Sequence, residues 1–200
     1  MIAYSIRAAL DSQVFSDVLV STEDEEIATI ARSLGATVPF LRSQHNASDT
    51  ATTTEVLIEV LQTLKPAQFE YLCCLYATAP FISPQRLKEG YELLIQTDAD
   101  SVIPVKRFDY PIQRSLALRD GQLQMFWPEN YSKRSQDLEP AYHDSGQFYF
   151  AKTAPMVTQN RLFLDKTVPL ILTDLEVQDI DTEEDWEIAE RKMKWSLERA

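Results

Sequence analysis

Tyr71-Leu72-Cys73-Cys74-Leu75-Tyr76 is an apolar run too continuous for a sheet with one wet face. It reads as a central parallel strand, covered by other elements above and below. The segments on either side have helical periodicity. Before it, Val56, Leu57, Val60, Leu61 and Leu64 share one side; after it, Ser83 caps a helix with Pro84 at its first position and apolar Leu87, Tyr91 and Leu94. Working outward, Ile2, Ile6, Ala9 and Leu10 form a helical stripe and residues 18–20 a short strand that ends at Ser21-Thr22. A helix over residues 25–34 stops at Gly35, and residues 38–41 make a strand whose Pro39 suits an edge. Downstream, residues 101–105, 146–150 and 168–172 read as strands, and residues 182–197 as a closing amphipathic helix. Such alternation predicts an α/β fold: a doubly wound, mainly parallel sheet with helices on both faces.

The chain has 200 residues, 44% apolar and 25% charged, which is enough for one full hydrophobic core over residues 1–200. No apolar run has the length of a bilayer span and no basic segment with a signal core opens the chain, so a cytoplasmic protein is expected. A formal charge of −12 argues against nucleic acid or an anionic membrane as partner, since both are held by positive surface. Cys73 and Cys74 are adjacent and point to opposite faces of the strand, so they predict core thiols rather than a disulfide or a metal clip.

Residues 108–130 break the alternation. Two strand-like stretches flank Asp120-Gly121, a hairpin signal, and Phe126-Trp127 follow. The excursion fits either an arm that contacts a second copy or a lid packed on its own domain.

Near the C-terminus, Val177-Gln178-Asp179-Ile180-Asp181 runs into a helix. If this is a strand, Asp179 and Asp181 share a face at its end. Two hard oxygen ligands there suit Mg²⁺, which takes one or two carboxylates and completes its shell with water and a substrate's phosphates. Equally, Asp181 can cap the helix with Glu184 closing a capping box, leaving Asp179 as an ordinary strand end. Spacing alone leaves both readings open. In a doubly wound sheet ligands sit beyond the strands' carboxyl ends. That rule collects Ser21 to Asp24, Arg42, Asp49 to Thr53, Tyr76 to Pro80, Lys106-Arg107 and the two aspartates.

The ordered set Leu19-Val20-Ser21-Thr22-Glu23-Asp24, Leu41-Arg42, Ser48-Asp49-Thr50-Ala51-Thr52-Thr53, Thr78-Ala79-Pro80, Asp144-Ser145-Gly146-Gln147-Phe148-Tyr149 and Asp179-Ile180-Asp181 resembles the cytidylyltransferases that activate nonulosonic acids. Tyr76 before Thr78-Ala79-Pro80-Phe81, with Arg134-Ser135-Gln136-Asp137-Leu138 and Tyr142-His143 before Asp144, is closer to the pseudaminic acid enzymes than to the sialic acid ones. The resemblance implies a nucleotidyltransferase that takes CTP and a nonulosonic acid, with homodimers as the family's habit. It implies a Mg²⁺ ion on Asp179 and Asp181, and cytosine contacts from Arg42, Thr53 and the backbone of Ala51. Tyr76, Gln136, Gln147, Tyr149 and Phe163 would line the sugar pocket, although Phe163 also fits a plain core aromatic. Arg134 would meet the substrate carboxylate with its guanidinium fork. The family also begins with a buried strand and a basic, glycine-containing phosphate loop. Met1 to Ile6 here resemble the helix after that loop, so the domain is expected to be incomplete at its N-terminus. Another keto-sugar acid, or a non-catalytic sugar-nucleotide-binding fragment, stays open as an alternative.

Overall fold

The computed structural model describes residues 1–64 and 69–198. Its elements in chain order are α1 (Ile2–Ser12), α2 (Glu25–Ser33), α3 (Thr53–Leu64), β1 (Tyr71–Leu75), α4 (Pro84–Thr97), β2 (Ser101–Arg107), β3 (Leu116–Arg119), β4 (Gln122–Met125), β5 (Tyr142–Asp144), β6 (Phe148–Lys152), α5 (Thr153–Gln159), β7 (Thr167–Leu172) and α6 (Glu183–Leu197). Local signals set the helix ends. Asp24 caps α2 by accepting from the amides of Glu26 and Ile27, and the Ser83 side chain caps α4 ahead of Pro84. Gly35, just past α2, sits at φ 96°, a left-handed conformation that glycine adopts without strain.

The strand at the centre of the sheet is β2. Val105 is matched to Asp144 of β5 on one edge and to Ile171 of β7 on the other, while Ser101 is matched to Ala151 of β6 and Thr167 of β7. Strands β5 and β6 thus share one edge of β2, separated by residues 145–147, and β1 lies outside β6. Helices cover both faces. On one, Leu87 and Leu94 of α4 and Ala8 of α1 meet Val102, Phe148, Phe150, Leu170 and Leu172; on the other, Leu61 of α3 and Met156 of α5 meet Ala151 and Leu72.

The α/β fold with helices on both faces is therefore present, but three strand expectations are corrected. The sheet is not mainly parallel: only β7 runs parallel to β2, and β1–β6, β2–β5 and β2–β6 are antiparallel. Tyr71 to Leu75 is not a central parallel strand, because β6 is its one pairing neighbour among the described residues. An unbroken apolar run reports burial above and below a strand and carries no information about pairing at its edges, which is why the inference failed. Among the described residues, 18–20 and 38–41 form no ladder, and a single parallel bridge joins Leu19 to Thr37, with Val20 N–H donating to Thr37 O at 2.9 Å.

Beside the open edge of β1 is a cavity of about 720 Å³, walled by β1, Val18 to Val20, Ile2 and Ile6 of α1, and Val56 and Val60 of α3. Cys73 and Cys74 border it and are half-buried rather than fully enclosed, and burial pushes the Cys74 thiol up to about 12. Both remain protonated at neutral pH.

The hairpin expected within residues 108–130 is present as β3–β4, turning at Asp120 (φ 50°) and Gly121 (φ 75°), the paired positive φ values of a tight hairpin turn. Leu118 is 73% and Leu123 68% exposed, so the hairpin presents apolar side chains to solvent.

Candidate active site

The wall of the cavity gathers Ser21, Arg42, Ala51, Thr53 and Tyr76, bringing together the predicted cytosine contacts and one predicted sugar contact. Arg42 is held in place by its neighbours. Its Nε donates to Ser21 Oγ at 3.1 Å, its Nη2 to the Ser21 carbonyl, and Glu23 lies 3.8 Å from Nη1. Ala51 N–H donates to Ser48 O at 3.1 Å within the loop that leads into α3. Thr53 opens that helix, and its hydroxyl lies 3.0 Å from the Tyr76 hydroxyl, where either can donate.

Tyr76 follows β1 and is anchored to the turn just before β6 by its amide, which donates to Gln147 O at 2.9 Å. Its ring meets that of Tyr149 edge to face, centroids 5.6 Å apart. The Tyr149 hydroxyl donates to Asp144 Oδ2 at 2.7 Å. Burial first, then the bond to Asp144 and its charge, push the Tyr149 phenol far above its ordinary value. Gln147 is buried, and its side-chain amide donates to the carbonyl of Glu176. Three of the predicted sugar residues, Tyr76, Gln147 and Tyr149, therefore form one cluster joined to Thr53.

The remaining predicted sugar residues lie elsewhere. Arg134 places both arms of its fork on Asp137, at 2.8 and 3.1 Å, and is exposed. Gln136 is exposed in the adjoining short turn. Phe163 is 66% exposed, so neither the pocket nor the core encloses it; the loop between α5 and β7 turns it outward.

Asp179 and Asp181 are exposed in the irregular segment between β7 and α6. The strand expected there is absent, since β7 ends at Leu172 and residues 177–181 pair with no neighbour among those described. The capping alternative is corrected too. Thr182 is the N-cap of α6, and Asp185, not Glu184, closes the capping box. Both aspartate side chains are left without a hydrogen bond or ion pair among the described residues, although the segment carrying them is tied down. Glu176 O holds Gln147, and Lys192 Nζ donates to Val177 O at 2.8 Å. Glu176 itself bridges two elements: Arg86 Nε and Nη2 donate to its carboxylate at 2.6 and 3.0 Å, and Thr173 donates through its hydroxyl and amide. Burial pushes the Glu176 carboxyl up, but Arg86 and Thr173 outweigh it and hold it at about 2.

Carboxylate oxygens are the donor type that a hard divalent ion takes beside phosphates and water, and no group of three or more possible metal ligands occurs among the described residues.

The sequence profile of the family described as cytidylyltransferase matches residues 1–172. This chain belongs to that family. A pseudaminic acid cytidylyltransferase of Campylobacter jejuni subsp. jejuni serotype O:2 is 39% identical over 204 aligned positions that span 100% of this chain and 88% of the relative. A CMP-N,N'-diacetyllegionaminic acid synthase of Legionella pneumophila subsp. pneumophila is 30% identical, over 99% and 87%. Among solved structures, a CMP:2-keto-3-deoxy-manno-octonic acid synthetase complexed with CTP superposes with a TM-score of 0.67 at 13% identity, covering 98% of this chain and 88% of that one, which shows a shared fold.

The cytidylyltransferase has site features that the sequence reading passed over. The Arg86–Glu176 bridge joins residues 90 positions apart, beyond any short-range pattern. Asp144 was readable as the start of an Asx turn, because Asp-Ser-Gly lets a carboxylate accept from the amide two residues on; Oδ1 does accept from Gly146 N–H at 2.9 Å.

Proposed function

We propose that this cytidylyltransferase activates a nonulosonic acid, pseudaminic acid before its relatives, with CTP to give the CMP-sugar and pyrophosphate. The likeness, over the whole of this chain, to a pseudaminic acid enzyme at 39% identity carries the reading, and the assembled Thr53, Tyr76, Gln147 and Tyr149 cluster supports it. In this reaction the anomeric hydroxyl oxygen of a nine-carbon 2-keto sugar acid forms a bond to the α-phosphorus of CTP. The bond from that phosphorus to the bridging oxygen breaks, pyrophosphate leaves, and the hydroxyl proton is released to solvent.

The chain's contribution is positioning. Arg42, fixed by Ser21, and Thr53 with the Ala51 backbone address the cytosine. Tyr76, Gln147 and Tyr149 orient the sugar acid. Arg134, held by an exposed carboxylate that competes weakly, can exchange Asp137 for the substrate's carboxylate. Asp179 and Asp181 would hold Mg²⁺, which when bound supplies neutralisation of charge on the phosphate oxygens.

We further assign the enzyme to the cytoplasm, consistent with the absence of any described helix long and apolar enough to cross a membrane. We assign it to a homodimer joined through the arm at residues 108–130, because an isolated two-stranded hairpin with exposed leucines is marginally stable in water. A monomer by light scattering would remove the dimer.

The deciding experiment follows pyrophosphate release from CTP with pseudaminic, legionaminic and sialic acids in turn. The highest kcat/KM is expected for pseudaminic acid. A preference for another acid moves the substrate assignment, and CTP binding without turnover of any acid would favour a non-catalytic binding module.

A further inference from the structure

Asp144 ends β5 where the chain leaves its pairing with β2, before it re-enters the sheet as β6. The two carboxylate oxygens have separate duties. Oδ1 accepts from Gly146 N–H at 2.9 Å and fixes the turn, in which Gly146 takes φ 64°; Oδ2 accepts from the Tyr149 hydroxyl at 2.7 Å. One side chain thus sets both the backbone entering β6 and the hydroxyl of the buried tyrosine that is the strand's second residue.

The consequence is directional. A phenol has one proton to donate, and a bond to a carboxylate is roughly twice as strong as a bond to a neutral acceptor. With its proton committed to Asp144, the Tyr149 oxygen has only lone pairs left to offer. Tyr76 and Thr53 differ, because either hydroxyl of that pair can be the donor and the pair can adapt to what it meets. Tyr149 is 6% exposed and its ring is braced against Tyr76, so it has no room to turn to another partner.

Resting on the function proposed above, we propose that Asp144 is a positioning residue that acts through Tyr149. It holds the phenol's proton outward, so that Tyr149 selects a hydrogen-bond donor, a hydroxyl or an amide N–H, on the sugar acid. The substrate class this favours is a keto-sugar acid carrying such a donor where it meets the Tyr149 oxygen. Burial and the neighbouring carboxylate both oppose ionisation of the phenol, which keeps the arrangement intact across the physiological range.

The test is a double-mutant cycle with Asp144→Ala and Tyr149→Phe, in the form of the enzyme that turns over, reading KM for each substrate and kcat separately. Asp144→Ala is expected to raise KM for the sugar acid about tenfold, the scale of one lost hydrogen bond. KM for CTP and kcat should stay within about twofold, as expected for loss of ground-state and transition-state binding alike. In the Tyr149→Phe background the same substitution should keep only the smaller cost of the lost Gly146 bond, so the two effects are far from additive. Equal effects in both backgrounds, or KM for both substrates rising together with a fall in melting temperature, would overturn the proposal. A second readout needs no substrate: the pH titration of the Tyr149 ring carbon by NMR, assigned through Tyr149→Phe, should move toward the ordinary tyrosine value in Asp144→Ala. An unmoved titration overturns the proposal whatever the substrate. A wild-type enzyme inactive on every keto-sugar acid, with the titration moved, sinks the functional reading and the selection of a sugar-acid donor but leaves Asp144 as the group that holds the phenol's proton.

Discussion

Asp179 and Asp181 lie within three positions of Thr182, yet the three side chains face different tasks. Thr182 is fully employed. Its hydroxyl accepts from Asp185 N–H at 3.3 Å and donates to Asp185 Oδ2 at 2.7 Å, and its own amide donates to the same oxygen at 2.9 Å. The aspartates have no such work inside the chain, so removing either should cost little stability. Under the Mg²⁺ assignment proposed above, Asp179→Ala or Asp181→Ala is expected to lower turnover at least about a hundredfold, because each would remove a ligand of an ion that supplies several kcal/mol of charge stabilisation. Their melting curves should match wild type. Thr182→Ala should do the reverse, costing about 1 kcal/mol of stability with turnover kept. Kinetics over a Mg²⁺ series beside melting curves separates the two behaviours, and near-normal turnover in either aspartate variant would remove it from the metal site. The sequence pattern proposed the carboxylate pair on the ground that a strand would put both on one face, and that strand is not formed, since β7 ends at Leu172. The cap was misassigned because Asp181-Thr182-Glu183-Glu184-Asp185 offers two overlapping boxes, and only the threonine hydroxyl can both donate and accept.

At the scale of elements, caps and turns were legible for the same reason: Ser83-Pro84 before α4, Gly35 after α2 and Asp120-Gly121 in the hairpin each act within a few residues. Strand direction was not. Whether β1 meets a parallel or an antiparallel neighbour depends on where residues 148–152 return, about 75 positions later, and nothing in residues 71–75 encodes that. The three-residue strand β5 and the seven-residue helix α5 also escaped notice, both too short for a periodic signal. The bridge between α4 and the segment after β7 belongs to this long-range class, and it makes the fold sensitive to acid. Glu176 is held at about 2 in the folded chain, below its ordinary 4.5. Its contribution to stability is therefore fully present above about pH 4.5 and is lost as pH falls through that value toward 2. Melting temperature against pH should fall more steeply over that window in wild type than in Glu176→Gln, which carries no titrating group there. Parallel curves would show that other carboxylates dominate acid unfolding.

For the molecule as a whole, the open edge of β1 is the feature that most needs an occupant. Five consecutive residues pair with β6 on one side, while the groups on the other edge face a cavity of about 720 Å³ walled largely by apolar side chains. Water could satisfy those amides and carbonyls, but it would then lie against Ile2, Ile6, Val56 and Val60, where it gains few hydrogen bonds. An extended apolar segment meets both needs at once, pairing its backbone with β1 and burying its side chains against α1 and α3. Across the slot, residues 18–20 offer a second edge, with the Leu19–Thr37 bridge behind it as its one β-bridge among the described residues. We propose that this occupant is an extended apolar strand, joined to the basic phosphate-gripping loop that the family resemblance implies. The expected outcome is that an N-terminally extended protein melts at higher temperature, protects the amides of Tyr71 to Leu75 from hydrogen exchange, and binds CTP more tightly than the 200-residue chain. The three changes should arrive together, because one segment supplies the strand and the loop. If extension leaves exchange at β1 unchanged, the slot is not a strand site; if it protects β1 without improving CTP binding, the triphosphate is gripped from elsewhere in the chain.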